Sequence, residues 1–331
     1  MKSPQGPPYR PQVAGVGGRA MPIPDVPIAS VLLVFYVGSA AGNMTILQLN
    51  RRKGHKFLLS GLLFGFSMAR ILTLSLRLGV AYHPTNLSLS IASMIFVNAG
   101  ILIVYIVDLL FVQRIIRARQ PEIGWHPLFR VLFKVVYSLV ALALVLVIVF
   151  IVISFYTLDT HLKVICRNVR LAAITWLLVV AALPLVLLAL TWMLQKSKNA
   201  QAFGAGSMVT KSLILATSSS LCTLGAGFKA GVNWQAPRPI NNPAWYQSKT
   251  SFYVFFFVLE ILILYFFLAV RVDRRFHVPD GSSKRRTFDV PIGQQKQNDE
   301  TSSQHGSNIE KEPETHREHG APASRITATR R

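Results

Sequence analysis

Arg70 and Glu260 each interrupt an apolar run of membrane-spanning length. Ionisable groups inside spans are rare, face the interior of a helix bundle and pair with one another. Such a pair can lock two helices together, or it can form a polar hub that a ligand or proton rearranges. Counting about 1.5 Å per residue from the cytoplasmic ends puts Arg70 about 20 Å deep and Glu260 about 16 Å deep, so the two are level. Asn43 and Asn98 are expected to extend the same hub. Asp108, about 8 Å from the inner face by the same count, is expected to meet Arg52, Lys53 or Arg114. Arg77 and Lys229 approach the outer end, where long side chains reach the headgroups.

Other intramembrane chemistry finds no residues to carry it. A zinc hydrolase needs His and carboxylate ligands within the spans, and all eight histidines fall in loops or tails. A retinal pigment needs a seventh-span lysine for its Schiff base, and "SFYVFFFVLEILILYFFLAV" has none. No phosphate-binding loop is present. The expectation is a protein that is not an enzyme, with no cofactor and no metal.

The elements that position these residues follow from the apolar pattern. The 331 residues are 51% hydrophobic and 15% charged, against about 25% charged in soluble domains. Seven stretches have the roughly 20 apolar residues a spanning helix needs: 26–49, 57–81, 89–113, 135–157, 171–194, 212–233 and 251–270. The fourth contains the chargeless "VVYSLVALALVLVIVFIVISFY"; the sixth is the least apolar, with "ATSSSLCTLGAG". The net charge of +21 arises in short basic clusters between spans, which argues against nucleic acid as a partner. Lys and Arg gather on the cytoplasmic side of a membrane, and here they follow the first, third, fifth and seventh spans. The fold expected is an all-α integral membrane protein, a seven-transmembrane-helix bundle with the N-terminus outside and the C-terminus cytoplasmic.

Residues 1–25 read as a flexible extracellular or lumenal tail, 26–270 as the transmembrane domain, and 271–331 as a basic juxtamembrane segment with a disordered tail. That tail, "GQQKQNDETSSQHGSNIEKEPETHREHG", is too polar to bury a core. Asn86 heads an Asn-Leu-Ser glycosylation sequon in a loop assigned outside. Arg271, Arg274, Arg275, Lys284, Arg285 and Arg286 form a basic cluster expected to face anionic lipid, with Phe276 and Val278 dipping into the interface. Gly61-x-x-x-Gly65 and Gly227-x-x-x-Gly231 are expected to bring helices close, and Pro184 to kink the fifth span. Cys166 is placed on the oxidising side and Cys222 within the sixth span, so no disulfide between them is expected.

The stretches "NRRKGHKFLLSGLLFGFSMAR", "FGAGSMVTK", "PRPINNPAWYQSKTSFY" and "RVDRRFHVPDG" resemble those of a seven-span family from filamentous fungi. Its members are of unknown function and are often labelled family C-like G-protein-coupled receptors. The resemblance covers roughly residues 25–281 and implies fungal origin and a seven-span membrane protein, without a ligand or reaction. The third span ends "YIVDLLFVQR" where rhodopsin-like receptors have Asp-Arg-Tyr, and the seventh has no Asn-Pro-x-x-Tyr. Likeness to known signalling receptors is therefore one of topology.

The first functional expectation is signal sensing by a receptor-like protein in the plasma membrane or an endomembrane. It would take a small-molecule or lipid ligand in the outer halves of its helices and engage a G-protein or another cytoplasmic effector. The alternatives are translocation of a lipid or small amphiphile, and a structural or scaffolding membrane protein.

Overall fold

Capping side chains mark where most of the long helices begin. Asn86, His126, Asp159, Ser207 and Ser248 each accept a hydrogen bond from a backbone N–H of the following turn, satisfying donors that a helix leaves open. The computed structural model describes residues 6–11, 13–52, 58–279, 282 and 286–288, apart from the side chain of Ala99. Lys53, Lys284, Arg285 and the polar tail from residue 289 lie outside the described residues.

Among the described residues seven helices are long and apolar enough to cross a membrane: α1 (Pro22–Arg52), α2 (Leu59–Tyr82), α3 (Leu87–Arg119), α4 (Pro127–Tyr156), α5 (Thr160–Met193), α6 (Met208–Trp234) and α7 (Lys249–Ala269). The fold is all-α and consistent with an integral multi-pass membrane protein. α4 and α5 start well before the apolar stretches at 135 and 171. Pro127 at a first-turn position and the Asp159 cap start them in polar sequence. A helix of 30 residues is about 45 Å long, against a hydrocarbon core of about 30 Å.

Successive helices alternate in direction. The starts of α1, α3, α5 and α7 share one face of the bundle, the N-face, with the ends of α2, α4 and α6; the opposite ends form the C-face. α3 is the central element, 65% buried against 28–44% for the other six. α4 buries Phe133, Val136, Val140 and Val147 while exposing Val131, Val135, Leu142, Val145 and Val149. An outward face this apolar suits hydrocarbon and is costly in water.

Helix packing differs from the expectation at the glycines. A Cβ on Gly65 or Gly231 would meet nothing within 4 Å, and on Gly61 or Gly227 only ordinary contacts. Close approach occurs instead at Gly38 and Gly42 of α1, where a Cβ would stand 2.6 Å from Tyr265 Oη and 3.2 Å from Leu268 Cδ1 of α7. Pro184 is buried inside a continuous α5. Cys166 and Cys222 are both buried free thiols.

Residues 6–11 and 13–21 do not hang free of the bundle. Tyr9 N donates to Phe155 O at 2.7 Å, Ala14 N to Arg238 O at 2.9 Å and Gly17 N to Gln247 O at 3.0 Å. The segment lies across the N-face because its backbone groups pair with the ends of the helices and the loop between α6 and α7.

Candidate functional site

The core-facing stripe of α2 runs Leu63, Phe66, Arg70, Leu74 and Arg77, spaced three and four residues apart as one helix face requires. Arg70 is 0% exposed. Its Nε donates to Glu260 Oε2 and its Nη2 to Glu260 Oε1, both at 2.5 Å. This two-pronged geometry is the strongest available to an arginine–carboxylate pair. Tyr36 of α1 donates its hydroxyl to Glu260 Oε2 at 3.2 Å and to Phe257 O at 3.1 Å. The rings of Phe66 and Phe257 lie 5.5 and 5.4 Å from the guanidinium carbon.

Two backbone irregularities sit at this level. α3 loses regular helix between Ala99 and Leu102, and Arg70 Nη1 donates to Phe96 O at 3.2 Å and Val97 O at 3.1 Å just before the interruption. α7 widens into a π-turn over Val254–Val258, and Phe257 O within it is the carbonyl that Tyr36 meets. The ion pair therefore joins α2 to α7 while its spare donor reaches the backbone of α3. Irregular backbone in membrane helices is tolerated where other groups take up the freed carbonyls. π-turns recur at functional positions.

The two asparagines expected in this hub are elsewhere. Asn43 Nδ2 donates to Ser39 O at 3.0 Å and Ser39 Oγ at 3.3 Å, and Ser39 meets Ser67 of α2 at 3.1 Å. That cluster ties α1 to α2 through neutral groups. Asn98 Nδ2 donates to its own helix at Met94 O, 2.8 Å away. Asp108 also departs from expectation: it accepts from Ser218 Oγ at 2.8 and 3.0 Å and from Ser219 Oγ at 3.2 Å. Arg114 donates to Phe276 O.

Arg77 belongs to a second buried cluster, on the N-face. Its Nη2 donates to Asp25 Oδ1 at 2.8 Å and to Gly17 O at 3.0 Å, and Tyr253 Oη donates to Asp25 Oδ1 at 2.6 Å. Lys249 pairs with Asp25 Oδ2, and Met21 N donates to the same oxygen at 2.9 Å. Asp25 thus holds two cations and joins α1, α2 and α7. Arg77 turns inward because it lies two turns after Arg70 on the same face.

The basic cluster after α7 is only partly free to face lipid. Arg271 adopts φ 50 and reverses the chain, so that Phe276 stacks on Phe111 with ring centroids 4.0 Å apart. Phe276 is 0% exposed; it closes the C-face from within and does not dip into an interface. Arg271 grips Asp273 with Nε and Nη2, each at 3.0 Å, and Asn50 Nδ2 adds a bond of 3.4 Å. Burial pushes the Asp273 carboxyl up, but the Arg271 and Asn50 bonds outweigh it and hold it below 3.8. The Asp273 partner in turn raises Arg271. Arg275 Nε donates to Val270 O at 2.8 Å, whereas Arg274 and Arg286 are exposed.

Asn86 is exposed, and its Oδ1 accepts from Leu89 N at 3.1 Å as the cap of α3. Among the described residues no three His, Cys, Asp or Glu side chains are grouped to hold a metal. Residues 205–277 match a family described as "Protein of unknown function (DUF3112)". The matched stretch carries α6, α7 and the turn through Asp273 and Phe276, and so includes Glu260. No curated protein and no solved structure matches the chain.

Proposed function

We propose that the protein is a receptor-like signal sensor of the plasma membrane or an endomembrane, with the N-face outside and the C-face toward the cytoplasm. The observation that carries this reading is the buried Arg70–Glu260 pair, placed where α3 is interrupted and α7 is π-helical. A charged pair at such a junction supplies an element with alternative arrangements that a ligand can bias. Orientation is supported by the basic residues of the C-face, among them Arg51, Arg52, Arg117, Arg119, Arg130 and Lys134. Resemblance to the fungal seven-span family labelled receptor-like agrees with it. The cytoplasmic partner would be a G-protein or another effector, and no enzymatic step is assigned to the chain.

A second reading, movement of a lipid or small amphiphile, is favoured by the same two helix irregularities, since irregular spans also build transporter sites. Three measurements test the orientation and separate the readings. A tag after Arg331 should resist external protease in sealed cells, and proximity labelling from it should capture a cytoplasmic effector whose recruitment changes when both Arg70 and Glu260 are neutralised. Cleavage in sealed cells removes the orientation. Lipid movement by the purified protein in vesicles, with no effector captured, replaces sensing with transport.

A further inference from the structure

Lys229 of α6 is an amine within the bundle that the clusters above do not use. Its Nζ is buried and has no hydrogen-bond partner among the described residues. Three other buried atoms share that condition, on Trp125, Tyr137 and Trp176, and all three are uncharged donors. The Phe256 ring lies against it, with its centroid 4.4 Å from Nζ. A lone ring does not repay the loss of water around an ammonium group.

Lys229 lines a partly open cavity of about 30 Å³. Asn98 and Tyr105 of α3 supply its other polar groups, and Leu144 of α4 with Ile174 and Leu177 of α5 supply apolar walls. A few polar residues among apolar walls is the usual make-up of a small-molecule site. The inner space holds roughly two waters' worth of volume, which is the scale of a headgroup. Arg170 lies one turn before Ile174 on α5, so a basic residue stands between the N-face and this wall.

We propose that the cavity binds the carboxylate of a small monoanionic amphiphile, with Lys229 as its counter-ion and the aliphatic part along Leu144, Ile174 and Leu177. One amine matches one negative charge. A phosphodiester would bring substituents on both sides of its anion, for which the inner space has no room. The inference supplies the ligand class that the sensing reading needs, and it rests on that reading only for its biological use. A carboxylate would serve a carrier equally well.

The probe is dodecanoate, added to the purified full chain in nanodiscs of neutral phosphatidylcholine, with dodecanol and acetate as controls. Dodecanoate is expected to bind and raise the unfolding midpoint, and Lys229→Met to weaken its binding at least tenfold. Dodecanol should not distinguish the two proteins. Without ligand, Lys229→Met is expected to fold with a midpoint at or above that of the unaltered chain, because it removes an unpaired buried amine. Should it not fold, Leu144→Trp, which fills the cavity from α4, carries the test and must abolish binding. Affinity that rises from acetate to dodecanoate assigns a lipid source; equal affinity assigns a soluble acid. Failure of both acids to bind, or binding indifferent to the substituted residue, overturns the proposal. Binding with no effector recruited leaves it standing and removes the sensing reading.

Discussion

Gly100 leaves open the space that the Arg70 guanidinium occupies: a Cβ on Gly100 would stand 2.6 Å from Arg70 Cζ and 2.8 Å from Nε. The central helix gives up a side chain at the point where α2 reaches across to α7. Gly100→Ala is therefore expected to destabilise the protein by about 1–3 kcal/mol through overpacking, although alanine in a helix otherwise gains about 1 kcal/mol over glycine. Thermal unfolding in detergent reads the sign. A midpoint that rises would show that Arg70 can move aside.

Removing one member of the Arg70–Glu260 pair leaves the other charge buried. Arg70→Met or Glu260→Met alone is expected to cost about 3–5 kcal/mol and to lower the yield of monodisperse protein. The double variant Arg70→Met with Glu260→Met is expected to recover most of that folded yield. Additive losses in the double-mutant cycle would mean that the two residues do not act as a unit.

At the N-face, one carboxylate serves two cations, so loss of Asp25 should outweigh loss of either partner. Asp25→Ala is expected to destabilise more than Arg77→Ala, which in turn exceeds Lys249→Ala, whose side chain is 23% exposed. Chemical denaturation of the three variants gives the order. An effect of Lys249→Ala equal to that of Asp25→Ala would place the weight of the cluster on the lysine.

Asp273 ties stability to acid. Its carboxyl is held below its ordinary value in the folded protein, burial being outweighed by the Arg271 and Asn50 bonds. The stabilisation is therefore complete above the unfolded value and is lost as pH falls through the folded one. The unfolding midpoint is expected to drop on acidification below about pH 4, and Asp273→Asn to flatten part of that limb. Superimposable acid limbs would remove Asp273 from the balance.

The number of helices was legible because a spanning segment must be apolar along its length, and no neighbour can substitute for that. Arg70 and Glu260 could be matched because charge inside hydrocarbon needs a partner and depth narrows the choice. Asp25 was missed because it precedes the apolar run and reads as tail, although Arg77 shares a helix face with Arg70 and pointed inward. The partners of Asp108 were visible as the hydroxyls that made "ATSSSLCTLGAG" look like a weak span. Phe276 was misplaced because the reversal at Arg271 uses a backbone conformation that arginine seldom adopts. Asn98 misled because an asparagine amide can satisfy itself on its own helix.

The distance along the chain between charge partners has a bearing on biogenesis. Arg77 follows Asp25 by 52 residues, so its counter-ion is already made when α2 emerges. Arg70 precedes Glu260 by 190 residues, which at about 5–20 residues per second is about 10–40 s of synthesis. For that interval α2 carries a cation whose partner has not been translated. A ribosome stalled before α7 would therefore hold an α2 that remains recognisable to insertion chaperones and quality control. The last helix to be synthesised is the one that releases the second.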